Sequence, residues 1–294
     1  MKLAYVCTNY NNARVTRDAV RSLVGSAHGA DLRIVVVDNQ SRPESLAALR
    51  GLAEEHEQLD VVASPSNVGY FRGLNLGLRH LEEHRPGHDL VVVGNNDLLF
   101  PEDFVRTVDE HRAVFDQWAV VAPDLVTPDG VHQNPHVRIP ISPWRKRVWG
   151  LHASSYAVAV AVRMAARLTR SITTRPENLP TGDHYRTPGP VEQGYGACYL
   201  LGPVFWKHFR RLAAPTFLMQ EEFFLYEQLK LIGQLTYYDP RFVVVHAGHA
   251  TMGAIPSRRQ WEFVRDSHRI YRQYARLSAP ERRQFIERSL EDPA

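Results

Sequence analysis

The first 120 residues alternate short apolar runs with amphipathic stretches. The apolar runs, rich in β-branched residues, are 3–7, 32–38, 60–63 and 89–93. Between them, apolar residues recur at helical spacing, as Val15, Ala19 and Leu23 do within 13–27. The continuous run "LRIVVVD" is typical of a strand that is covered on both faces. This alternation predicts an α/β fold with a mostly parallel sheet and right-handed crossovers.

The second half has an irregular part followed by a regular one. Residues 124–192 are rich in Pro, His and Arg, and "TPDG" predicts a turn at 127–130. After them we predict a strand at 194–202, helices at 203–212 and 221–233, and strands at 235–238 and 241–246. Capping-box spacing marks three helix starts, at Ser41/Glu44, Ser257/Gln260 and Ser278/Glu281, and Pro101 predicts a further start.

Composition and charge exclude several classes of protein. The chain has 294 residues, of which 44% are hydrophobic and 23% charged, as in ordinary globular proteins. Its net charge of +3 is too balanced for a nucleic-acid binder, so no nucleic-acid partner is expected. No apolar run approaches the ~18 residues of a membrane span. Cys7 and Cys198 both lie in apolar runs, which favours buried thiols in a reduced compartment and predicts a cytoplasmic protein.

Four strand ends in the first half are polar. They are Thr8–Asn9, Asp38–Asn39, Asn67 with Gly69, and Asn95–Asp97. Each could be a turn or a helix cap, but the carboxyl ends of parallel strands share one edge, so together they predict a ligand cleft. The cleft is not of the dinucleotide or ATPase type, because the chain lacks G-x-G-x-x-G after the first strand and has no Walker motif.

Asp97 and His246 are candidate ligands of a cation. A carboxylate at a strand end, preceded by amides, suits Mg²⁺ or Mn²⁺ bridging a diphosphate, and the imidazole that ends "RFVVVH" suits a Mn²⁺-like ion. The alternatives are that Asp97 caps the helix near Pro101 and that His246 is satisfied by backbone contacts. Gly69, Gly73 and Gly77, spaced by four, fit close approach of a ligand or plain packing equally well.

Seven motifs in order resemble family 2 glycosyltransferases of the GT-A fold. They are "CTNYNN", "VVVDNQS", "NVGYFRGLNLGL", "GNNDLLFPEDF", "GYGACYLLGPVFW", "EEFFLYEQLKLIG" and "FVVVHAG". The resemblance covers most of the chain. It implies a GT-A catalytic domain at 1–250, with a nucleotide-sugar half at 1–123 and an acceptor half at 124–250, and a helical extension at 251–294.

The resemblance also implies roles for particular residues. Those matching nucleotide-sugar-binding positions are Thr8, Asn9, Asp38, Asn67, Gly69, Arg72, Asn75, Asn95 and Asn96. Among them Asp38 would accept from the N–H of uracil or thymine. Asp97 and His246 match the metal positions, with Mg²⁺ or Mn²⁺ as the implied cofactor. Glu222 matches the catalytic base, with Glu221 beside it at the helix start.

Three departures from the family pattern bear on these roles. Asn95 brings no charge to the metal motif, so coordination would rest on Asp97, His246, diphosphate and water, and metal dependence stays open. Glu222 stands where the family has Asp and reaches one methylene further. Phe224 and Gln228 stand where the family has a second Asp and an Arg.

The leading hypothesis is an inverting transferase that moves a sugar from a UDP- or dTDP-sugar to a glycan, lipid-linked or small-molecule acceptor in polysaccharide or glycoconjugate biosynthesis. One alternative is a nucleotidyltransferase that makes nucleotide sugars. It usually needs a Gly-rich loop after the first strand, and "TNYNNARVTRD" has no glycine. Another is a non-catalytic nucleotide-sugar-binding subunit, which would have lost Glu222 or Asp97.

Two basic-aromatic stretches raise the question of a membrane. "PWRKRVW" at 143–149 sets three cations between tryptophans, and 258–276 carries six arginines and two acids on a predicted helix. Such segments suit peripheral contact with the inner face of a membrane or with a lipid-linked acceptor. A solvated face and an oligomer contact are equally common for this composition.

Overall fold

A computed structural model describes residues 1–135, 150, 153–161, 164, 183–248 and 258–291. The strands are β1 (Lys2–Asn9), β2 (Asp31–Asp38), β3 (Leu59–Ala63), β4 (Leu90–Asn95), β5 (Leu98–Leu99), β6 (Val120–Val126), β7 (Gly189–Val191), β8 (Cys198–Leu201) and β9 (Thr236–His246). The α-helices are α1 (Ala13–Ser26), α2 (Pro43–Glu55), α3 (Tyr70–His84), α4 (Phe104–Glu110), α5 (Pro203–His208), α6 (Glu221–Lys230), α7 (Arg258–Ala275) and α8 (Ala279–Glu291). Short 3₁₀ helices cover Arg112–Asp116 and Asp183–Arg186.

These strands form one open sheet in the order β3-β2-β1-β4-β8-β6-β9-β5, with β7 paired to β9. β3, β2, β1 and β4 are mutually parallel, as the sequence predicted, and β6 pairs with β9 in parallel. β8 runs antiparallel between β4 and β6 and joins the two parallel parts. The mostly parallel α/β architecture is confirmed.

Helix α3 lies very close to β1, and its glycines make that approach possible. A Cβ at Gly73 would lie 2.7 Å from Cγ2 of Thr8, and one at Gly77 would overlap the Val6 side chain. Both glycines are buried in the helix face that covers the sheet. Close packing therefore accounts for the spacing of these two glycines, which the sequence left open between packing and ligand contact.

Several predicted boundaries were wrong. The two strands expected at 235–238 and 241–246 form a single strand, β9, against which β6 shifts register between Pro123 and Asp124. The strand expected at 194–202 is limited to β8, and α4 begins at Phe104 instead of Pro101. β6 lies where the sequence pattern predicted no strand and extends three residues into the stretch predicted to be irregular.

The predicted capping boxes have different outcomes. At Ser278 the box is confirmed, because Oε2 of Glu281 accepts from the Ser278 N–H at 2.8 Å. At Ser41 it is wrong, because α2 has Arg42 as its N-cap and no side-chain cap. The Ser41 hydroxyl instead accepts from the Asn11 N–H at 2.8 Å. Ser257 lies outside the described residues.

The C-terminal helices brace α6. Tyr274 of α7 donates a hydrogen bond of 2.6 Å to Glu227, and its ring packs with Phe224 of α6. Ser267 of α7 donates to the carbonyl of Leu218, in the loop that leads into α6. The tail thus stabilises the helix that begins with the two adjacent glutamates. Among the described helices, none has the length and hydrophobicity that crossing a bilayer requires.

Both cysteines are buried and free, as the sequence predicted. Burial raises the pKa of the Cys7 thiol to about 12. Cys7 therefore stays a neutral thiol at physiological pH and acts as a small apolar residue of the core.

Candidate active site

Asp97 and His246 meet at the carboxyl edge of the sheet. Leu98 of β5 pairs with His246 at the end of β9, and the Ala247 N–H donates to the Asp97 carbonyl at 2.9 Å. This pairing brings Oδ1 of Asp97 within 3.2 Å of Nε2 of His246, with both side chains nearly buried. Residues 149 positions apart in the sequence thus share one small site.

The two facing atoms are arranged as ligands. Oδ1 of Asp97 is buried and makes no hydrogen bond to any described residue. It lies close to the imidazole without forming a hydrogen bond to it. Ligand atoms at right angles and ~2.1 Å from an octahedral cation are about 3 Å apart, close to the separation of this pair. An orphaned buried carboxylate oxygen beside an imidazole nitrogen therefore fits a divalent cation.

The described part of the chain holds no group of three His, Cys, Asp or Glu side chains that could bind a metal ion. Two protein ligands leave most positions of an octahedral shell open, as is usual for Mg²⁺ sites completed by phosphate and water. Asn95, from the same turn, has its amide nitrogen 3.5 Å from Nε2 of His246, and its carbonyl accepts from Tyr5.

Gln133, which the sequence analysis did not single out, holds the other side of the imidazole. Nδ1 of His246 donates to Oε1 of Gln133 at 2.7 Å. The signal was hidden, because Gln133 lies in the loop after β6 and 113 positions from His246.

Glu222 is the accessible member of the glutamate pair. Its Oε1 accepts from the Gly196 N–H at 3.2 Å, and the side chain is half-buried. A Cβ at residue 196 would lie 2.5 Å from that oxygen, so glycine is needed for this approach. The Tyr70 hydroxyl also holds Gly196, by donating to its carbonyl at 3.0 Å.

Glu221 is buried, whereas Glu222 is half-buried. It is only 6% exposed, and its Oε1 has no hydrogen-bond partner among the described residues. Burial, with a smaller contribution from the Glu222 charge, raises the pKa of Glu221 to about 8, although backbone N–H groups offset part of the effect. Its carboxyl group is therefore mostly protonated at neutral pH. Met219 and Gln220, directly before the pair, have φ values of 73° and 69°, in the left-handed region that non-glycine residues rarely adopt.

Tyr195 lies between the two halves of the site and was also missed. Its ring centroid is 5.9 Å from that of His246. The next residue, Gly196, donates to Glu222, and burial together with the charges of Glu222 and Asp97 raises the pKa of the Tyr195 hydroxyl. Tyr195 thus connects the glutamate pair with the Asp97–His246 pair. Its sequence signal was its place in the motif "GYGACYLLGPVFW", from which no role for Tyr195 was predicted.

Asn9, Asp38 and Asn96 form a buried network under the strand ends. Nδ2 of Asn9 donates to Asp38 at 2.9 Å, and the other Asp38 oxygen accepts from the Ser41 N–H at 3.0 Å. Nδ2 of Asn96 donates to Thr16 at 2.8 Å, whose hydroxyl donates in turn to Asn9 at 2.9 Å. Asp38 is 1% exposed. These side chains stabilise the edge on which Thr8, half-buried, is also found.

The remaining predicted nucleotide residues hold α3 against its surroundings. Oδ1 of Asn67 accepts from the N–H of Gly69. Gly69 has a φ of 90°, and a Cβ at this position would overlap the Phe217 carbonyl, so only glycine fits there. Nε of Arg72 donates to the Ala214 carbonyl at 3.0 Å.

Nδ2 of Asn75 donates to the Leu212 carbonyl, and Oδ1 of Asn75 accepts from the Leu212 N–H, both at 2.8 Å. A role for Asn67, Gly69, Arg72 and Asn75 in nucleotide binding stays a prediction.

Phe224 and Gln228, the two residues of α6 that depart from the family pattern, pack and hydrogen-bond within the fold. Gln228 accepts from the Ala213 N–H at 2.8 Å and donates to the Arg211 carbonyl at 2.9 Å. Phe224 lies fully buried against the C-terminal helices. Neither residue carries charge toward the glutamate pair.

Residues 6–163 match the family described as Glycosyl transferase family 2, which is more than half of the chain. No curated protein sequence matches. Among solved structures, the chain is similar to a mannosyltransferase from Pyrobaculum calidifontis in complex with GDP-Man and Mn²⁺. That match has a TM-score of 0.52 and 16% identity, over 98% of this chain and 68% of the other.

Two further solved structures resemble the chain at 11% identity. One is S. aureus TarS 1-349, with a TM-score of 0.52, over 97% of this chain and 69% of that one. The other is GalNAc-T7 with UDP, GalNAc and Mn²⁺, with a TM-score of 0.55, over 98% of this chain and 55% of that one. At these identities the likeness extends to the fold, and it confirms the GT-A architecture.

Proposed function

Because the chain belongs to glycosyl transferase family 2, we propose that it transfers a sugar from a UDP- or dTDP-sugar to an acceptor hydroxyl with inversion at the anomeric carbon. The observation that carries this proposal is the convergence of an accessible carboxylate, Glu222, and an Asp97–His246 pair around Tyr195. Glu222 would take the proton of the acceptor hydroxyl, and the Asp97–His246 pair would hold the cation that binds the diphosphate.

Glu222 is the proposed general base. A base must lie within hydrogen-bond reach of the acceptor hydroxyl, and Glu222 is half-buried while Glu221 is 6% exposed. Glu221, with its raised pKa, is protonated when a base must be ionised. In the reaction the acceptor oxygen bonds to the anomeric carbon, its proton goes to Glu222, and the bond to the diphosphate breaks. One displacement with one base inverts the anomeric centre.

Asp97 and His246 are the proposed ligands of a divalent cation. When bound, Mg²⁺ or Mn²⁺ would stabilise the negative charge that develops on the diphosphate leaving group. Support comes from the unsatisfied Asp97 oxygen and from the fold, since two similar structures contain Mn²⁺. With two protein ligands among the described residues, affinity for the free ion should be low and should rise when a nucleoside diphosphate completes the shell.

The pyrimidine preference rests on Asp38 and Thr8 at adjacent strand ends. A carboxylate accepts from the N–H of uracil or thymine. Asp38 already accepts from Asn9 and Ser41 and is only 1% exposed, so the base would have to reach one of its remaining lone pairs. One similar structure contains UDP and another GDP-Man, so the fold alone does not select a base.

The two alternative functions are less well supported. A nucleotidyltransferase would need phosphate-binding glycines after β1, and residues 8–18 have none. A non-catalytic binding subunit needs neither a base nor a metal acid, whereas Glu222 and Asp97 are both present on the same edge.

Peripheral contact with an anionic lipid surface is proposed for the outer face of α7. Four exposed arginines of α7 lie within an arc of about 60° at 100° per residue: Arg258, Arg265, Arg269 and Arg272. Glu262 and Asp266 offset part of this charge by pairing with Arg258 and Arg265. At about 1.5 Å per residue this arginine row is about 21 Å long, and its positive charge suits the headgroups of an anionic membrane. The other basic stretch, 143–149, lies outside the described residues.

The test is a binding panel of UDP, dTDP and GDP, each with and without Mn²⁺, measured by calorimetry and thermal shift. We expect UDP or dTDP to bind more tightly than GDP, and Mn²⁺ to increase both affinity and stabilisation. Asp97→Ala should keep the fold and lose the increase in nucleotide affinity and thermal stability that Mn²⁺ produces. Tighter binding of GDP would refute the proposed donor, and unchanged turnover and Mn²⁺ response in Asp97→Ala would refute the proposed metal role.

A further inference from the structure

His246 has one productive tautomer for binding a cation, and the structure contains the residue that selects it. An imidazole binds a metal through an unprotonated nitrogen, so the other ring nitrogen must carry the proton in the neutral ring. Nε2 of His246 faces Asp97, and Nδ1 faces away from it. The proton must therefore reside on Nδ1.

Gln133 supplies the acceptor for that proton. Its Oε1 lies 2.7 Å from Nδ1 of His246, and with the amide in this orientation its carbonyl oxygen accepts from a protonated Nδ1. The lone pair of Nε2 then points toward the unsatisfied Oδ1 of Asp97. Two acceptors facing each other at 3.2 Å repel unless a cation lies between them.

Gln133 is itself held in place by a hairpin that follows β6. The turn at 127–130 returns the chain, and the Gln133 N–H donates to the Leu125 carbonyl at 2.8 Å. On one side His132 pairs with the buried Asp124 at 2.8 Å, and on the other Asn134 accepts from the Tyr195 N–H at 2.8 Å. The residue next to the imidazole is therefore part of a loop held by hydrogen bonds on both sides.

We propose that Gln133 is a positioning residue that fixes the His246 tautomer, so that Nε2 and Asp97 are both available to a divalent cation. This inference rests on the proposed function, in which these two residues hold that cation. Without Gln133, a proton on Nε2 could be donated to Asp97. The resulting His246–Asp97 hydrogen bond would occupy both ligands and close the site to the ion.

The experiment measures Mn²⁺ affinity by electron paramagnetic resonance of the full chain with saturating UDP. Gln133→Leu removes the acceptor and should weaken Mn²⁺ binding about 10- to 100-fold, the usual effect of losing the partner of a metal-bound histidine. Gln133→Glu keeps an acceptor at this position and should stay within a few-fold of the wild type. Gln273→Leu, an exposed change of the same type on α7, should have no effect.

Two further variants separate this inference from the proposed function. If Asp97→Ala and His246→Ala bind Mn²⁺ as the wild type does, the cation site itself is wrong and the role of Gln133 falls with it. If they lose Mn²⁺ while Gln133→Leu keeps wild-type affinity, only the role of Gln133 is wrong. If Gln133→Leu and Gln133→Glu weaken Mn²⁺ equally, Gln133 acts through packing and the tautomer proposal is overturned.

Discussion

Glu221→Gln should change how the stability of the protein depends on pH. The Glu221 carboxyl is buried, its Oε1 has no hydrogen-bond partner among the described residues, and its pKa is raised from 4.5 to about 8. A carboxylic acid whose pKa is raised by folding binds its proton more tightly in the native state than in the unfolded one. Its contribution to stability is therefore fully present below pH 4.5 and is lost as the pH rises through 8. Glutamine has the same shape and no proton to lose, so the variant should lack this dependence.

The size of the effect follows from the two pKa values. Between them the native state holds one more proton than the unfolded state, so the free energy of unfolding falls by about 1.36 kcal/mol per pH unit. From pH 5.5 to 7.5 the wild type should lose about 2–3 kcal/mol relative to Glu221→Gln. Because only 6% of Glu221 is exposed, solvent screening does not reduce this figure.

Urea unfolding of both proteins at several pH values measures the difference directly. The matched control is Glu44→Gln, which changes an exposed acid in the first turn of α2 and should give curves parallel to the wild type. Glu222→Gln should flatten the dependence only in part, because the Glu222 charge is the second cause of the raised pKa. If wild type and Glu221→Gln remained parallel from pH 5.5 to 7.5, the buried, protonated Glu221 would be refuted.

Two predictions concern activity and location. Glu222→Gln should bind donor normally, because its amide oxygen can still accept from Gly196, yet lose transfer about 10²- to 10⁴-fold in single-turnover assays. If Glu221→Gln were instead the inactive variant, the base would be misassigned by one residue. Arg269→Glu with Arg272→Glu should weaken cosedimentation with phosphatidylglycerol vesicles and leave transfer to a soluble acceptor unchanged. Equal binding of wild type and this double variant would show that the arginine row is only a solvated face.

The hydrophobic pattern was enough to predict the parallel half of the sheet. A run such as 32–38 can only be buried on both faces, and helices spaced between such runs have to cross over to the next parallel strand. The same pattern failed at β9, where Asp239 and Pro240 look like a break. In the structure Asp239 is buried and accepts from Arg241, so the strand continues across the polar residues. A local pattern carries no information about such pairing.

The sequence by itself determined the residue types at the edge of the sheet, because strand ends are local features and a parallel sheet gathers them. It therefore predicted Asp97 at this edge and His246 as a further candidate ligand, whereas the role of the glutamate pair came from the family resemblance. Only the tertiary structure decided their environments. It buried Glu221 and left Glu222 accessible, engaged Asp38 with Asn9, and brought Gln133 and Tyr195 to His246. Burial and hydrogen bonding between distant segments set these roles, and neither is encoded in the spacing of residues along the chain.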